Sequence, residues 1–105
     1  MADIRANDAP SFEPVHPGII IRDMLNDARV SSRAAATSMG VTPPSLGNIL
    51  LGRSAISADM ALRLSCYFGN KPKFWTRLQE DYDLWHRSRV LRSDLAKIER
   101  MAFVA

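Results

Sequence analysis

Four side chains near the middle of the chain have the chemistry and spacing needed to read the edges of DNA bases. They are Thr42, Pro44, Ser45 and Asn48, which lie within one short stretch. An asparagine amide hydrogen-bonds adenine N6 and N7 in bidentate fashion, a serine hydroxyl suits most base edges, and the apolar surfaces of threonine and proline can contact a thymine methyl group. We therefore predict that Asn48 is the principal base reader and that the other three lie beside it.

Donors for DNA phosphates flank the same stretch. Ser32 and Arg33 precede it, and Arg53 follows it. The charge distribution agrees, because residues 31–77 contain six basic groups and one acidic group, whereas residues 1–30 contain three and five and residues 78–105 contain five of each. A basic segment between acidic and neutral ends is typical of a segment that faces phosphates. We predict phosphate contacts for Ser32, Arg33 and Arg53.

The base-reading stretch is predicted to be the second helix of a helix-turn-helix. Residues 32–39 are rich in alanine and end at Gly40, and Thr42 offers a capping hydroxyl before a helix over residues 43–51. At about 100° per residue, Leu46, Ile49 and Leu50 share one arc and leave the base-reading candidates on the other arc, together with Gly47 and Leu51. The predicted core of the two helices comprises Ala36, Met39, Gly40, Val41, Leu46 and Ile49.

Start and stop signals predict three more helices, over residues 18–28, 58–68 and 72–88, with His16 and Ser57 as caps before the first and second of these. A repeat of Leu91, Leu95 and Ile98 predicts a sixth helix or a continuation of the fifth. The sequence therefore indicates an all-α compact bundle of five or six short helices. We divide the chain into a tail over residues 1–15 that is mobile unless a partner orders it, a helix-turn-helix domain over residues 16–88 and a C-terminal helical extension over residues 89–105.

The extension is predicted to pack on a neighbour, which is either a second subunit or a different protein. The candidate contacts of the extension are Leu91, Leu95, Ile98 and Phe103, and Trp85 of the helix before it is a further candidate. Trp75 is predicted to lie in the core, because it opens an apolar stripe along the helix over residues 72–88. The sequence does not distinguish that helix from the extension as the source of a dimer interface.

Composition excludes several other kinds of chemistry. The chain has 105 residues with one cysteine and two histidines, which suits one small domain without a disulfide or a four-ligand zinc site. We expect no metal, no cofactor and no enzymatic activity, because no set of titratable groups clusters in the sequence. Cys66 is expected to be an inert buried thiol. No apolar run is long enough to span a bilayer and the first residues are unlike a signal peptide, so we expect no membrane partner and a cytoplasmic location.

The sequence resembles the HigA antitoxin family, within the wider group of Xre-type helix-turn-helix proteins. The similar runs are HPGIIIRDML, SRAAATSMGVTPPSLGNILLGRSAIS and ADMALRLSCYFGNKPKFWTRLQEDYDLW, and they cover about residues 16–87. The most specific pieces are the HPG opening, the GVTP and LLGR edges of the base-reading helix and the combination of FW with YDLW. The resemblance implies a lambda-repressor-like fold.

It also implies a homodimer that binds a palindromic double-stranded operator as a repressor and neutralises a cognate HigB-like ribonuclease, similar to RelE, which cleaves mRNA. By position, Thr42, Ser45 and Asn48 fall where such proteins contact bases, and Arg33 and Arg53 fall where they contact phosphates. Two alternatives remain open. One is a stand-alone Xre-type regulator without a toxin, and the other is a protein-interaction module that has lost DNA binding, which is favoured by Pro44 and Gly47 in place of polar groups.

Overall fold

The computed structural model describes residues 12–102, which form six α-helices joined by short turns and contain no β-strand. Helix α1 spans Pro17–Ala28, α2 spans Ser32–Met39, α3 spans Pro43–Leu50, α4 spans Ala58–Phe68, α5 spans Pro72–Val90 and α6 spans Arg92–Ala96. The all-α prediction is confirmed. The ends of the first five helices differ from the predicted ends by two residues at most.

Side chains cap the first four helices at their N-termini, where backbone N–H groups have no partner within the helix. The His16 ring accepts a hydrogen bond at Nδ1 from the Gly18 N–H group, at 3.0 Å. The hydroxyl groups of Ser31, Thr42 and Ser57 each accept one from the backbone three residues ahead. The predicted caps at His16, Thr42 and Ser57 are therefore confirmed, and Ser31 caps α2.

The core lies between α3 and the helices around it. α3 packs on α1 and α2, while α4 packs on α2 and α5. Trp75 is fully buried, as predicted, and the two small side chains of Ala35 and Ala36 are also fully buried, so that α2 lies close to its neighbours. The remaining buried apolar side chains are Ile21, Leu25, Met39, Leu46, Ile49, Leu50, Ile56, Met60, Ala61 and Leu64.

The prediction for Cys66 is wrong, because its side chain is exposed. The buried positions of α4 include Ala61, Leu64 and Ser65. Cys66 follows Ser65 by one residue and is therefore turned by about 100° from it, towards solvent. The neighbouring Ser65 occupies the buried position, and its hydroxyl group donates to the Leu62 carbonyl oxygen at 2.8 Å.

The predicted C-terminal extension is helical only in part. α5 ends at Val90, and the short α6 that follows ends at Ala96, after which residues 98–102 form no helix. α6 buries none of its residues. Since a short helix depends on packing for its stability, a segment whose apolar side chains are at most half-buried does not extend further.

The predicted contact residues of this region are half-buried or exposed. Leu91 and Leu95 are half-buried, and Ile98 is exposed. Trp85 is also half-buried, and the Arg89 guanidinium lies 3.8 Å from the centre of its ring. Phe103, like the tail up to residue 11, lies outside the described residues.

The start of α1 touches the backbone of α3. A Cβ atom at Gly18 would overlap the carbonyl group of Ile49, the second-to-last residue of α3. Gly18 is buried, and so is Pro17 beside it. The absence of a side chain at Gly18 is therefore what allows α1 to approach α3 this closely.

Replacement of Gly18 by alanine is expected to lower the free energy of unfolding by about 1–3 kcal/mol, because the methyl group has no space and two helices must separate. The matched control is Gly47→Ala, where a Cβ atom meets nothing within 4 Å. In this helical position alanine is expected to raise the free energy of unfolding by about 0.5–1 kcal/mol. Urea unfolding of both variants checks the pair, and equal stabilities would contradict the close approach.

Candidate nucleic-acid interface

α2 and α3 form a helix-turn-helix, and the turn between them depends on Gly40. This residue has a φ angle of +72°, in the left-handed region that favours glycine. The Gly40 and Val41 N–H groups donate to the carbonyl oxygens of Thr37 and Ala36, at 3.2 and 3.0 Å. The chain therefore reverses within a few residues, and the predicted helix-turn-helix is confirmed.

Four of the six predicted core residues of this unit are buried, namely Ala36, Met39, Leu46 and Ile49. The other two differ. Val41 is only half-buried against the core, and Gly40 is exposed. Both residues lie in the turn, where the backbone runs along the surface between the two helices. They contribute to the helix-turn-helix through the backbone conformation of the turn more than through buried side chains.

The face of α3 opposite the core is free. Pro44, Ser45 and Asn48 are exposed there, and Thr42 is exposed at the N-cap. Leu51, just after the helix, is 61% exposed. The structure therefore brings all four predicted base readers to one accessible surface, as expected for a helix with Leu46 and Ile49 on its buried side.

The capping bond limits what Thr42 can do at this surface. Its Oγ1 atom accepts a hydrogen bond from the Ser45 N–H group at 3.2 Å. The hydroxyl proton and the methyl group are left to face a ligand. Thr42 is thus suited to donate to a base acceptor or to contact a thymine methyl group, while the Asn48 amide supplies both a donor and an acceptor.

The predicted phosphate donors lie at the two ends of the unit. Ser32 and Arg33 are exposed in the first turn of α2, where backbone N–H groups and the helix dipole favour an anion. Arg53 is exposed in the loop after α3. That loop folds back onto the helix, because the N–H groups of Arg53 and Ser54 both donate to the Asn48 carbonyl oxygen, at 2.8 and 3.3 Å.

His16 joins three parts of the structure behind this surface. Its side chain caps α1, its ring packs edge-on against Tyr82 of α5 with a centroid distance of 4.9 Å, and it lies next to Gly52 in the loop after α3. Burial lowers the pKa of His16, while a hydrogen bond to the Ser54 backbone and the charge of Asp83 act in the opposite direction. The neutral ring that accepts from Gly18 is therefore the favoured form.

Gln79 holds the far end of the same loop and was not predicted from the sequence. The side chain is 5% exposed. Its Oε1 atom accepts from the Ile56 N–H group at 2.9 Å, and its Nε2 atom donates to the Asp83 carboxylate at 3.0 Å. The sequence signal that could have identified Gln79 is its position four residues after Trp75, which places a polar residue on the apolar side of α5.

Arg63 of α4 is a second residue that the sequence did not single out. Its guanidinium Nη1 atom donates to the Met39 carbonyl oxygen at 2.6 Å, at the end of α2. The sequence carried no local signal for this contact, because Arg63 and Met39 are 24 positions apart.

Two other kinds of feature are absent from the described part of the chain. Residues 12–102 contain no group of three His, Cys, Asp or Glu that could hold a metal ion. None of their helices combines the length and the apolar character needed to cross a membrane.

Comparison with known proteins agrees with this geometry. A helix-turn-helix family model matches residues 21–75. Antitoxin HigA-1 of Vibrio cholerae is 31% identical over 93 residues, which cover 88% of this chain and 87% of that protein. A structure of Pseudomonas aeruginosa antitoxin HigA with the higBA promoter has a TM-score of 0.81 and 35% identity, and the match covers 86% of this chain and 100% of that chain. A structure of antitoxin GraA in complex with its operator has a TM-score of 0.80 and 34% identity, over 90% of this chain and 97% of that chain.

The lowered pKa of His16 gives a testable pH dependence. The unfolded chain binds this proton more readily than the folded chain, so His16 contributes stability that is complete above its ordinary pKa of 6.5 and is lost as the pH falls through the lowered value. His16→Asn keeps a capping acceptor but does not titrate. In urea unfolding at about pH 7.5 and about pH 5, we expect the wild type to lose more free energy of unfolding than His16→Asn. Equal losses would contradict the lowered pKa.

Proposed function

The chain belongs to the Xre-type helix-turn-helix family and is homologous to the HigA antitoxins, and on that premise we propose that it is the antitoxin of a type II toxin–antitoxin module. In this role it binds operator DNA as a dimeric transcriptional repressor and neutralises a HigB-like ribonuclease. The observation that carries the DNA-binding part is the free face of α3, where Thr42, Ser45 and Asn48 are exposed on a helix anchored by buried Leu46 and Ile49.

The recognition helix α3 enters the major groove, whose width of about 12 Å admits a helix. Asn48 reads an adenine through its amide, and Ser45 and Thr42 contact neighbouring base edges. Pro44 supplies apolar contact with a thymine methyl group. Gly47 presents no side chain, so that the α3 backbone can lie close to the bases. The relatives solved with a promoter and with an operator support DNA binding by this chain.

Phosphate contacts fix the position of α3 in the groove. Ser32 and Arg33 bind one phosphate region from the first turn of α2, and Arg53 binds another from the loop after α3. These contacts bring affinity and its salt dependence, while the contacts from α3 bring sequence preference. The hydrogen bonds from Arg53 and Ser54 to the Asn48 carbonyl oxygen support this division, because they connect the phosphate-binding loop to the base-reading helix.

The repressor acts as a homodimer whose two α3 helices enter successive major grooves about 34–36 Å apart. The domain over residues 16–88 binds DNA, and residues 89–105 contact the second subunit or the toxin. Support comes from apolar side chains that are exposed around the end of α5 and beyond it, where Val90 is 65% and Ile98 is 69% exposed. Trp85, Leu91, Leu95 and Phe103 belong to the same contact region.

Toxin neutralisation is a matter of binding and requires no chemistry from this chain. We assign it no enzymatic activity, and the antitoxin name of the Vibrio cholerae relative supports that role. The partner is a ribonuclease that cleaves mRNA, encoded beside the antitoxin. We also propose a cytoplasmic location, because operator DNA and mRNA are both found there.

Asn48→Ala and Arg53→Ala are expected to weaken DNA binding in different ways. Loss of the Asn48 amide lowers affinity for the operator by about 1–3 kcal/mol and relaxes the preference at one base pair, with little effect on scrambled DNA. Loss of the Arg53 charge weakens binding to both DNAs and lowers the salt slope by about one unit. Anisotropy titrations at several salt concentrations, with DNA from upstream of the gene and a scrambled duplex, measure both effects.

Asn26→Ala, on the exposed side of α1, is the matched control and should bind like the wild type. Wild-type binding that is equal for both duplexes, or absent at moderate salt, contradicts the repressor role. An interaction module that has lost DNA binding then becomes the better account, given that Pro44 and Gly47 contribute no hydrogen-bonding side chain to the free face.

The purified protein is expected to inhibit mRNA cleavage by the ribonuclease encoded beside it, in a cleavage assay with a defined transcript. Asn48→Ala should inhibit as well as the wild type, because the partner contacts proposed above lie in residues 89–105 and around Trp85, and not on the free face of α3. Operator binding without any inhibition of the ribonuclease would indicate a stand-alone regulator.

A further inference from the structure

The carbonyl groups at the end of α2 receive hydrogen bonds from outside the helix-turn-helix. The last carbonyl oxygens of a helix have no N–H partner within it and carry the negative end of the helix dipole. The Gly40 and Val41 N–H groups satisfy those of Thr37 and Ala36. The carbonyl oxygens of Met39 and Gly40 lie further along, at the turn itself.

Arg63 of α4 supplies the donor at this point. Its Nη1 atom lies 2.6 Å from the Met39 carbonyl oxygen and 3.5 Å from that of Gly40. The last turn of α2 contains no basic residue of its own. A cation from α4 therefore does what a lysine or arginine in the last turn does in other helices, where it stabilises the C-terminus.

Gly40 leaves the space that the guanidinium needs. A Cβ atom at Gly40 would come within 3.0 Å of Arg63 Nη1, closer than side-chain carbons ordinarily approach. The left-handed φ angle of Gly40 forms the turn, and with no side chain at Gly40 the guanidinium keeps this position without having to shift by a few tenths of an ångström. The groove beside it has a volume of about 490 Å³ and is lined by Ser38, Met39, Leu62, Arg63, Cys66 and Tyr67.

We propose that Arg63 is a positioning residue for operator recognition, which holds the turn between α2 and α3 and thereby sets the direction of α3, without contacting DNA. This inference rests on the proposed DNA-binding function. The turn is two residues long between Gly40 and the start of α3 at Pro43, and the Thr42 cap lies within it. A change in the Met39 or Gly40 peptide plane would therefore alter the entry to α3, whose first turn carries Ser45 and whose second turn carries Asn48.

The chemistry of the guanidinium explains why arginine suits this position. Its planar fork has several N–H groups and remains charged at every physiological pH, so that it can serve two neighbouring carbonyl oxygens. Lysine keeps the charge but offers a compact ammonium group on a flexible stem, and methionine keeps only the length of the apolar stem. Lysine is thus expected to rescue part of the function and methionine none.

The test compares Arg63→Met and Arg63→Lys with the wild type and with Arg77→Met, which removes an exposed arginine from α5. Anisotropy titrations use the upstream DNA and the scrambled duplex at several salt concentrations. Circular dichroism and urea unfolding establish that each variant is folded under the same conditions. If Arg63→Met does not fold, Arg63→Lys takes its place in the comparison.

We expect Arg63→Met to lower operator affinity about tenfold, with the scrambled duplex bound as by the wild type and the salt slope unchanged. The operator affinity of Arg63→Lys should lie between those of Arg63→Met and the wild type, and the operator affinity of Arg77→Met should equal that of the wild type. A salt slope reduced by about one unit, with both duplexes bound more weakly, would make Arg63 a phosphate contact and overturn the positioning role.

Unchanged operator affinity in a folded Arg63→Met, or in Arg63→Lys where only that variant folds, overturns the inference and leaves the proposed function intact. A wild type that shows no preference for the upstream DNA overturns the proposed function, and the inference falls with it. The wild-type titration therefore separates the two failures.

Discussion

The close approach of α1 to the last turn of α3 is the constraint on which the remaining structure depends. His16 caps α1, Pro17 is buried at its first position and Gly18 has no side chain, so the backbone of α1 can touch the carbonyl group of Ile49. This contact fixes the recognition helix from behind. The three residues make different contributions to this contact. His16 supplies a capping acceptor, Pro17 a fixed φ angle, and Gly18 the space for close approach.

Around this contact, polar side chains from α4 and α5 bind backbone groups at both ends of α3. Arg63 binds the carbonyl oxygens of the turn that precedes the helix, and Gln79 binds the Ile56 N–H group of the loop that follows it. Backbone groups in turns are costly to leave without partners when they are withdrawn from water. The two residues satisfy such groups and at the same time connect α3 to the larger helices, so the helix is held at both ends while its outer face stays free.

The free face of α3 has few side chains that can form hydrogen bonds with bases. Pro44 and Gly47 contribute no polar side chain there, and the hydroxyl oxygen of Thr42 is already engaged in the cap. In the proposed function, hydrogen-bond reading of bases would therefore fall mainly to Asn48 and Ser45. Under that proposal, such a surface would gain more of its affinity from phosphates and from close backbone approach than from many base-specific bonds, and a second subunit on a palindromic site would double every contact.

The sequence by itself determined the helices, most of their caps and the exposed face of α3, because these depend on neighbours within one or two turns: Thr42 caps α3 and Leu46 with Ile49 define its buried side whatever lies elsewhere. Only the tertiary structure decided the roles of Gln79 and Arg63, whose partners are 23 and 24 positions away. It also decided that Ser65 is buried while Cys66 is exposed, and that α6 ends at Ala96 where a helical repeat continues to Ile98. Periodicity states which residues share a face, but contacts between distant segments decide which face is covered, and those contacts exist only after the chain has folded.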